Sequence, residues 1–388
     1  MESVLRINDK RMKHIHIALV GGQAYPVYLG IKALKPSDVI LIHSAQSETD
    51  AECIRKILCD SAMVDAAHVQ LKQISTVDIA AAQKELHQCV EALPADVRCT
   101  VNLTGGTKLW SILLYRELTG RPDVGLVYVD QNCDIYNIAA LQSTPSRVSI
   151  DMDTLFRLYG NEVKSHTRLS EYTEEDLHVM QEIKRLRKFN YQVYNSFAMP
   201  PKKADVQKTK ARTGELQDSQ GNRIKWDRVE GWLETAFYNR RGQRYACTLE
   251  SPHAVDLFFS CHWFELQVAD MLSRWDKAKE VWMNVEFPYE SKQTKNEIDI
   301  IVNTGKRVVF VECKTQIPDN TNIDKFSKAV RNYGGTASKA LFITESVMRD
   351  ITIEKCKQND VLHFSLDGGR TSELYALLDK ALDEINKR

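Results

Sequence analysis

Glu297-Ile298-Asp299-Ile300-Ile301-Val302, then Asn303-Thr304-Gly305-Lys306, then Val308-Val309-Phe310-Val311-Glu312-Cys313-Lys314 carry the plainest structural signal in the chain. Two runs rich in β-branched residues flank an Asn-Thr-Gly turn, which is the pattern of a β-hairpin. Pairing the runs brings Asp299 and Glu312 to one end of a two-stranded ribbon. Side chains two apart in a strand share a face, so Lys314 points the same way as Glu312. Two carboxylates held together suit a hard divalent cation, with Mg²⁺ or Mn²⁺ the natural guests. An ammonium beside them suits orienting a water and stabilising a charged phosphoryl transition state.

This arrangement resembles the PD-(D/E)xK nuclease superfamily, with Asp299 as the first acid and Glu312-Cys313-Lys314 as the (D/E)xK segment. Nucleases of that kind add an acid from the helix just before the first sheet strand. Glu234 and Glu265 compete for that role. Position in the chain favours Glu265, because the helix His262 to Trp275 leads directly into the strand Val281 to Phe287. Its neighbours Trp263, Phe264 and Leu266 are apolar, so the helix is expected to be buried, and a buried acid needs a partner. Further strands are expected at Ala340 to Thr344 and Leu362 to Leu366. Together these give an α/β domain with a mixed sheet over residues 246–388.

The first 145 residues read differently. Apolar runs at His14 to Val20, Val39 to His43, Val69 to Ile74, Cys99 to Leu103 and Val124 to Val129 alternate with helical patterns. That alternation predicts a Rossmann-like, mostly parallel, doubly wound sheet, closed by a hairpin across Gln131-Asn132. Such sheets bind ligands beyond the carboxyl ends of their strands. Three segments converge there: Gly21-Gly22-Gln23, Ser44, and Thr104-Gly105-Gly106-Thr107-Lys108. Glycines admit a close phosphate, a helix N-terminus adds a positive dipole, and Lys108 adds a full charge. Neither the GxGxxG fingerprint nor a P-loop is present, which sets aside a nucleotide-dependent oxidoreductase.

Residues 146–245 read as a linker. It holds a charged helix, Tyr172 to Phe189, and a polar, basic stretch from Lys202 to Arg228 expected to be a mobile surface arm. The chain has 388 residues, 43% of them hydrophobic and 27% charged, and its formal net charge is zero. A zero net charge means that any nucleic acid must be held by local patches. The nine cysteines lack metal-ligand spacing and read as reduced thiols of a cytoplasmic protein. No run is long enough to span a membrane.

As a whole the chain resembles the CRISPR-associated nucleases that carry an N-terminal CARF domain and a C-terminal PD-(D/E)xK domain. The resemblance rests on Asn102 to Lys108, Trp263-Phe264-Glu265, Glu297 to Lys314 and Gly334-Gly335. It implies a homodimer that binds a cyclic oligoadenylate, typically cyclic tetra-adenylate, across its CARF domains. It implies a metal-dependent endonuclease of type III CRISPR antiviral defence, cleaving DNA, RNA or both. Asp299, Glu312, Glu265 and the main-chain carbonyl of Cys313 would hold the metal, and Lys314 would steady the phosphate. Cys261-His262 stand where relatives often carry Gly-Gly. Two rivals are a constitutive repair or junction-resolving nuclease and a non-enzymatic nucleotide sensor.

Overall fold

The computed structural model describes residues 13–94, 97–121, 123–130, 133–289, 294–315, 320–335 and 338–385. Gln131 and Asn132, the expected turn of the closing hairpin, lie outside them. The chain forms two compact units, one running to Glu162 and including the last residues from Asp383, the other from Val163 to Leu382. By contacts, the first unit extends to Glu162.

In the first unit the elements are β1 (His14–Leu19), α1 (Ala24–Leu34), β2 (Asp38–His43), α2 (Glu48–Asp60), β3 (Val69–Gln73), α3 (Ile79–Glu91), β4 (Arg98–Asn102), α4 (Lys108–Leu118), β5 (Val124–Val129), β6 (Ile135–Asn137), β7 (Gln142–Thr144) and α5 (Met152–Leu158). Seven strands form one sheet in the order β3-β2-β1-β4-β5-β6-β7. β1 to β5 are parallel, and β6 and β7 run antiparallel at the edge. β1 lies between β2 and β4, so the order reverses at the β1/β4 boundary. This is the crevice where open α/β sheets take ligands. Ile17, Leu19, Val101 and Leu114 are wholly buried and fill the layer between the sheet and its helices.

The second unit contains β8 (Ser165–Arg168), α6 (Glu174–Phe189), α7 (Tyr191–Ala198), α8 (Lys203–Thr209), β9 (Thr213–Gln217), β10 (Arg223–Asp227), β11 (Trp232–Tyr238), β12 (Arg244–Glu250), α9 (Ala254–Phe258), α10 (His262–Ser273), β13 (Glu280–Pro288), β14 (Thr294–Asn303), β15 (Val308–Lys314), α11 (Asn320–Gly334), β16 (Ser338–Thr344), α12 (Asp350–Gln358), β17 (Val361–Ser365) and α13 (Thr371–Ile385). A six-stranded mixed sheet runs β17-β16-β15-β14-β13-β8. The hairpin β14–β15 forms as the sequence predicts, with Gly305 at φ +83° in its turn.

The expectation of a mobile arm over Lys202 to Arg228 is corrected. α8, β9 and β10 occupy it, and β9 to β12 make a four-stranded antiparallel sheet. The reason is a sparse inward alternation: Ile224, Trp226, Leu233, Phe237 and Leu249 are all at most 1% exposed. Gly214 is required opposite Trp226, because a Cβ there would lie 2.2 Å from the indole. The basic residues of β10 occupy the alternate, outward positions, Arg223 and Lys225.

Candidate active site and the glycine-rich turns

Ile300 pairs with Val311 across β14 and β15, and the next antiparallel step sets Asp299 opposite Glu312. There a side chain takes over from the backbone ladder: the Cys313 N–H donates to Asp299 Oδ2 at 2.7 Å. That bond fixes the Asp299 carboxylate at the end of the ribbon. Lys314 Nζ lies 2.6 Å from Glu312 Oε1 and 3.5 Å from Asp299 Oδ2. Both acids are 15% exposed and the lysine 34%, so the trio is shielded but reachable.

α10 packs on β13, β14 and β15 and brings Glu265 to the same place. Burial and the Asp299 carboxylate push the Glu265 carboxyl well above its usual range. Burial and Asp299 likewise push Glu312 up to about 7, against the pull of Lys314. Burial disfavours the Lys314 ammonium, but Asp299 and Glu312 outweigh it and hold its pKa above the ordinary lysine value. Glu297 joins this field: partial burial and Asp299 raise its pKa, with His262 opposing. The sequence reading gave Glu297 no role, although it stands two residues before Asp299 and so shares its face. Glu234 is not brought to the ribbon. It lies in β11 opposite Lys225, in the other sheet.

A cationic brace supports this end of the sheet. The buried Arg187 of α6 binds both carboxylate oxygens of Glu345, one at 2.6 Å, and its guanidinium lies 4.6 Å from the Trp263 ring. Glu345 in turn donates its N–H to the Lys314 carbonyl at 3.1 Å. Nothing in the local sequence around Arg187 announces this role, because both partners come from distant elements.

Among the described residues, no three His, Cys, Asp or Glu side chains are gathered closely enough to hold a metal ion as they stand. The chemistry of the donor set nevertheless fits a hard divalent ion. Glu265, Asp299 and Glu312 are oxygen donors whose crowding keeps Glu265 and Glu312 reluctant to ionise, a penalty that a cation among them relieves. Lys314 supplies part of that positive charge.

In the first unit, the Gly21 and Gly105-Gly106 turns follow β1 and β4, the neighbours at the sheet's reversal. They touch: a Cβ on Gly21 would lie 2.9 Å from the Gly106 nitrogen, and one on Gly105 would lie 2.0 Å from the Leu19 carbonyl oxygen. Gly106 has φ +68°, a conformation that favours glycine. Thr107 caps α4 by accepting from the Trp110 N–H at 3.2 Å. Gly22, Gln23 and Lys108 are exposed around the two turns.

Two of the expected hydroxyls face inward instead. Thr104 Oγ1 donates to Asn102 Oδ1 at 2.6 Å and accepts from the Val129 N–H at 2.6 Å. Ser44 is buried and shares hydrogen bonds with Ser47. Both hydroxyls are thus engaged by partners within the first unit.

Residues 15–152 match the family model of the Card1 CARF domain, and residues 254–363 match that of the Card1-like endonuclease domain. No curated protein matches the chain. Protein VC1899 from Vibrio cholerae is similar in structure at TM-score 0.73 and 13% identity, over 96% of this chain and 98% of that one. Can2 from Sulfobacillus thermosulfidooxidans, solved with cyclic tetra-adenylate, follows at TM-score 0.65 and 16% identity, over 95% of this chain and 99% of that one. A type III CRISPR defence DNA nuclease activated by cyclic oligoadenylate gives TM-score 0.56 at 18% identity, over 86% of this chain and 45% of that one. Those likenesses carry the fold, and the two family models, matched in order along one chain, carry the family: the protein has a Card1-type CARF domain ahead of a Card1-like endonuclease domain.

Proposed function

We propose that the chain is a metal-dependent endonuclease switched on by cyclic tetra-adenylate and acting as a homodimer. The observation that carries the nuclease half is the cluster of Asp299, Glu312 and Lys314 at the β14–β15 end, with Glu265 drawn to it by α10. Asp299, Glu312, Glu265 and the Cys313 carbonyl would hold Mg²⁺ or Mn²⁺. A bound divalent ion supplies Lewis-acid polarisation of a phosphodiester and a more acidic water. Lys314, fixed between the two acids, places an ammonium where charge develops on the phosphoryl oxygens. The Cys313 N–H keeps the Asp299 carboxylate from rotating away.

The sensor half rests on the Gly21 and Gly105-Gly106 turns at the sheet's reversal, with Lys108 and the N-terminus of α4 beside them. Can2 is described with cyclic tetra-adenylate, which supports that ring size for this chain. A cyclic ligand with repeated phosphates matches a twofold pair of such turns better than a single one. The test is incubation of the full chain with Mn²⁺ and mixed DNA and RNA, with and without cyclic tetra-adenylate. Cleavage only with the activator, and one activator per two chains by scattering and calorimetry, is the expected result. Full cleavage without it refutes the gate, and one activator per monomer refutes the shared pocket.

A further inference from the structure

A cleft of about 460 Å³ opens in the second unit, lined among others by Lys184, Lys188, Tyr191, Phe264, Glu345 and Asp367. It adjoins the nuclease cluster by one covalent link and one hydrogen bond. Phe264 precedes Glu265 on α10, and Glu345, which lines the cleft, is the residue hydrogen-bonded to the Lys314 carbonyl. Lys184 and Lys188 stand four apart on α6, hence on one face. Lys188 is exposed, and Tyr191 is 46% exposed beside it.

The charges sort cleanly. Arg187 and Glu345 bind each other at the floor of the cleft, and Arg187 also lies 5.2 Å from the Tyr191 ring centre. The pair neutralises itself and holds Tyr191 from below. Lys184 and Lys188 then outweigh Asp367, the remaining charge on the opposite wall. An aromatic face flanked by free ammonium groups is what an unpaired nucleotide needs, with its base on the ring and its phosphates on the lysines.

We propose that this cleft is the subsite for a nucleotide neighbouring the scissile phosphate, with Tyr191 as the stacking platform and Lys184 and Lys188 as phosphate contacts. The proposal rests on the endonuclease reading and says where the substrate strand runs as it leaves the catalytic residues. Chain neutrality is then no obstacle, because the positive charge is gathered where the strand passes.

The test uses the full-length protein with cyclic tetra-adenylate and a fluorescein-labelled single-stranded oligonucleotide. Anisotropy is read at several salt concentrations in a Glu312→Ala background, so the strand stays intact. Tyr191→Leu is expected to weaken binding roughly ten-fold, and Tyr191→Phe to restore it. Lys184→Ala with Lys188→Ala is expected to lower the slope of log affinity against log salt by about 1.4, since each single-strand phosphate contact contributes about 0.7. With Glu312 intact, the same changes should raise KM and leave kcat at saturation. Unchanged affinity and slope in the double lysine variant overturn the subsite, as does wild-type protein that fails to bind the strand. Equal loss of affinity in Tyr191→Phe and Tyr191→Leu overturns the stacking. Cleavage with unaltered strand binding removes the cleft and keeps the nuclease, and cleft-dependent binding without cleavage does the reverse.

Discussion

Lowering the pH from 7 to 5 should destabilise the first unit through two histidines of its central strand. His14 and His16 sit one pleat apart on β1, and both turn to the Thr100 hydroxyl of β4, at 2.8 Å from His14 Nε2 and 2.7 Å from His16 Nδ1. Burial lowers the His14 pKa to about 4, with Arg98 adding to it. Burial lowers the His16 pKa to about 3, with His14 adding to it, and His16 Nε2 is buried without a partner. Both folded values lie below the unfolded value near 6.5, so the stability they represent is present above pH 6.5. It is lost as the pH falls below 6.5 toward the folded values, because the unfolded chain then takes up protons that the native chain refuses. One pH unit is worth about 1.4 kcal/mol per group, so the 1.5 units between 6.5 and 5 remove about 4 kcal/mol for the pair. That is a large share of the roughly 5–15 kcal/mol that stabilises a domain. Urea unfolding of the wild type and of a His14→Gln, His16→Gln variant, run in parallel at each pH, isolates the effect because all other titrating groups are shared. The wild type should lose about 4 kcal/mol relative to the variant between pH 7 and 5. A wild-type-minus-variant difference that stays flat across that range refutes the argument.

Three further outcomes follow from the two sites. Glu312→Ala should abolish cleavage while calorimetric binding of cyclic tetra-adenylate is unchanged, and retained cleavage with Mn²⁺ would sink the active-site assignment. Lys108→Ala should raise the activator concentration needed for half-maximal cleavage by roughly ten- to a hundred-fold, about what one hydrogen bond between charged groups is worth. An unchanged binding isotherm would make Lys108 a surface charge only. Gly105→Ala sets a methyl 2.0 Å from the Leu19 carbonyl oxygen, so the β4–α4 turn must shift. Thermal melting should fall by several degrees and activator affinity should drop with it; intact melting and binding together would show that the turn tolerates a side chain.

The juxtaposition on the β14–β15 ribbon was legible because all of its determinants are local. Two apolar runs, one turn and the two-residue pleat were enough to place Asp299, Glu312 and Lys314 together. Glu265 was reachable by chain order alone. The sheet of β9 to β12 was not, because each of β9 and β10 presents inward only one or two large apolar residues between charged ones, and the lysines dominated the reading. β8 carries Ser165-His166-Thr167-Arg168, a segment with no apolar pattern, and becomes a strand by pairing with β13. Ser44 and Thr104 do fall in turns after strands, yet which way a hydroxyl points depends on Ser47, Asn102 and Val129, and those partners are set by tertiary packing. Glu297 was on the page as part of the decisive stretch, and its even spacing from Asp299 was the signal left unused.

The contact between Gly21 and Gly106 has a consequence for how this crevice can vary. The two backbones approach so closely that a single methyl on Gly21 meets the Gly106 nitrogen at 2.9 Å. Neither turn has independent freedom to acquire a side chain. A change at one position is tolerable only if the other turn retreats, so substitutions at the pair should be strongly non-additive. A combinatorial library at positions 21, 105 and 106 would therefore return few single survivors and a small number of matched combinations, each with its own crevice width and its own range of acceptable phosphate spacings.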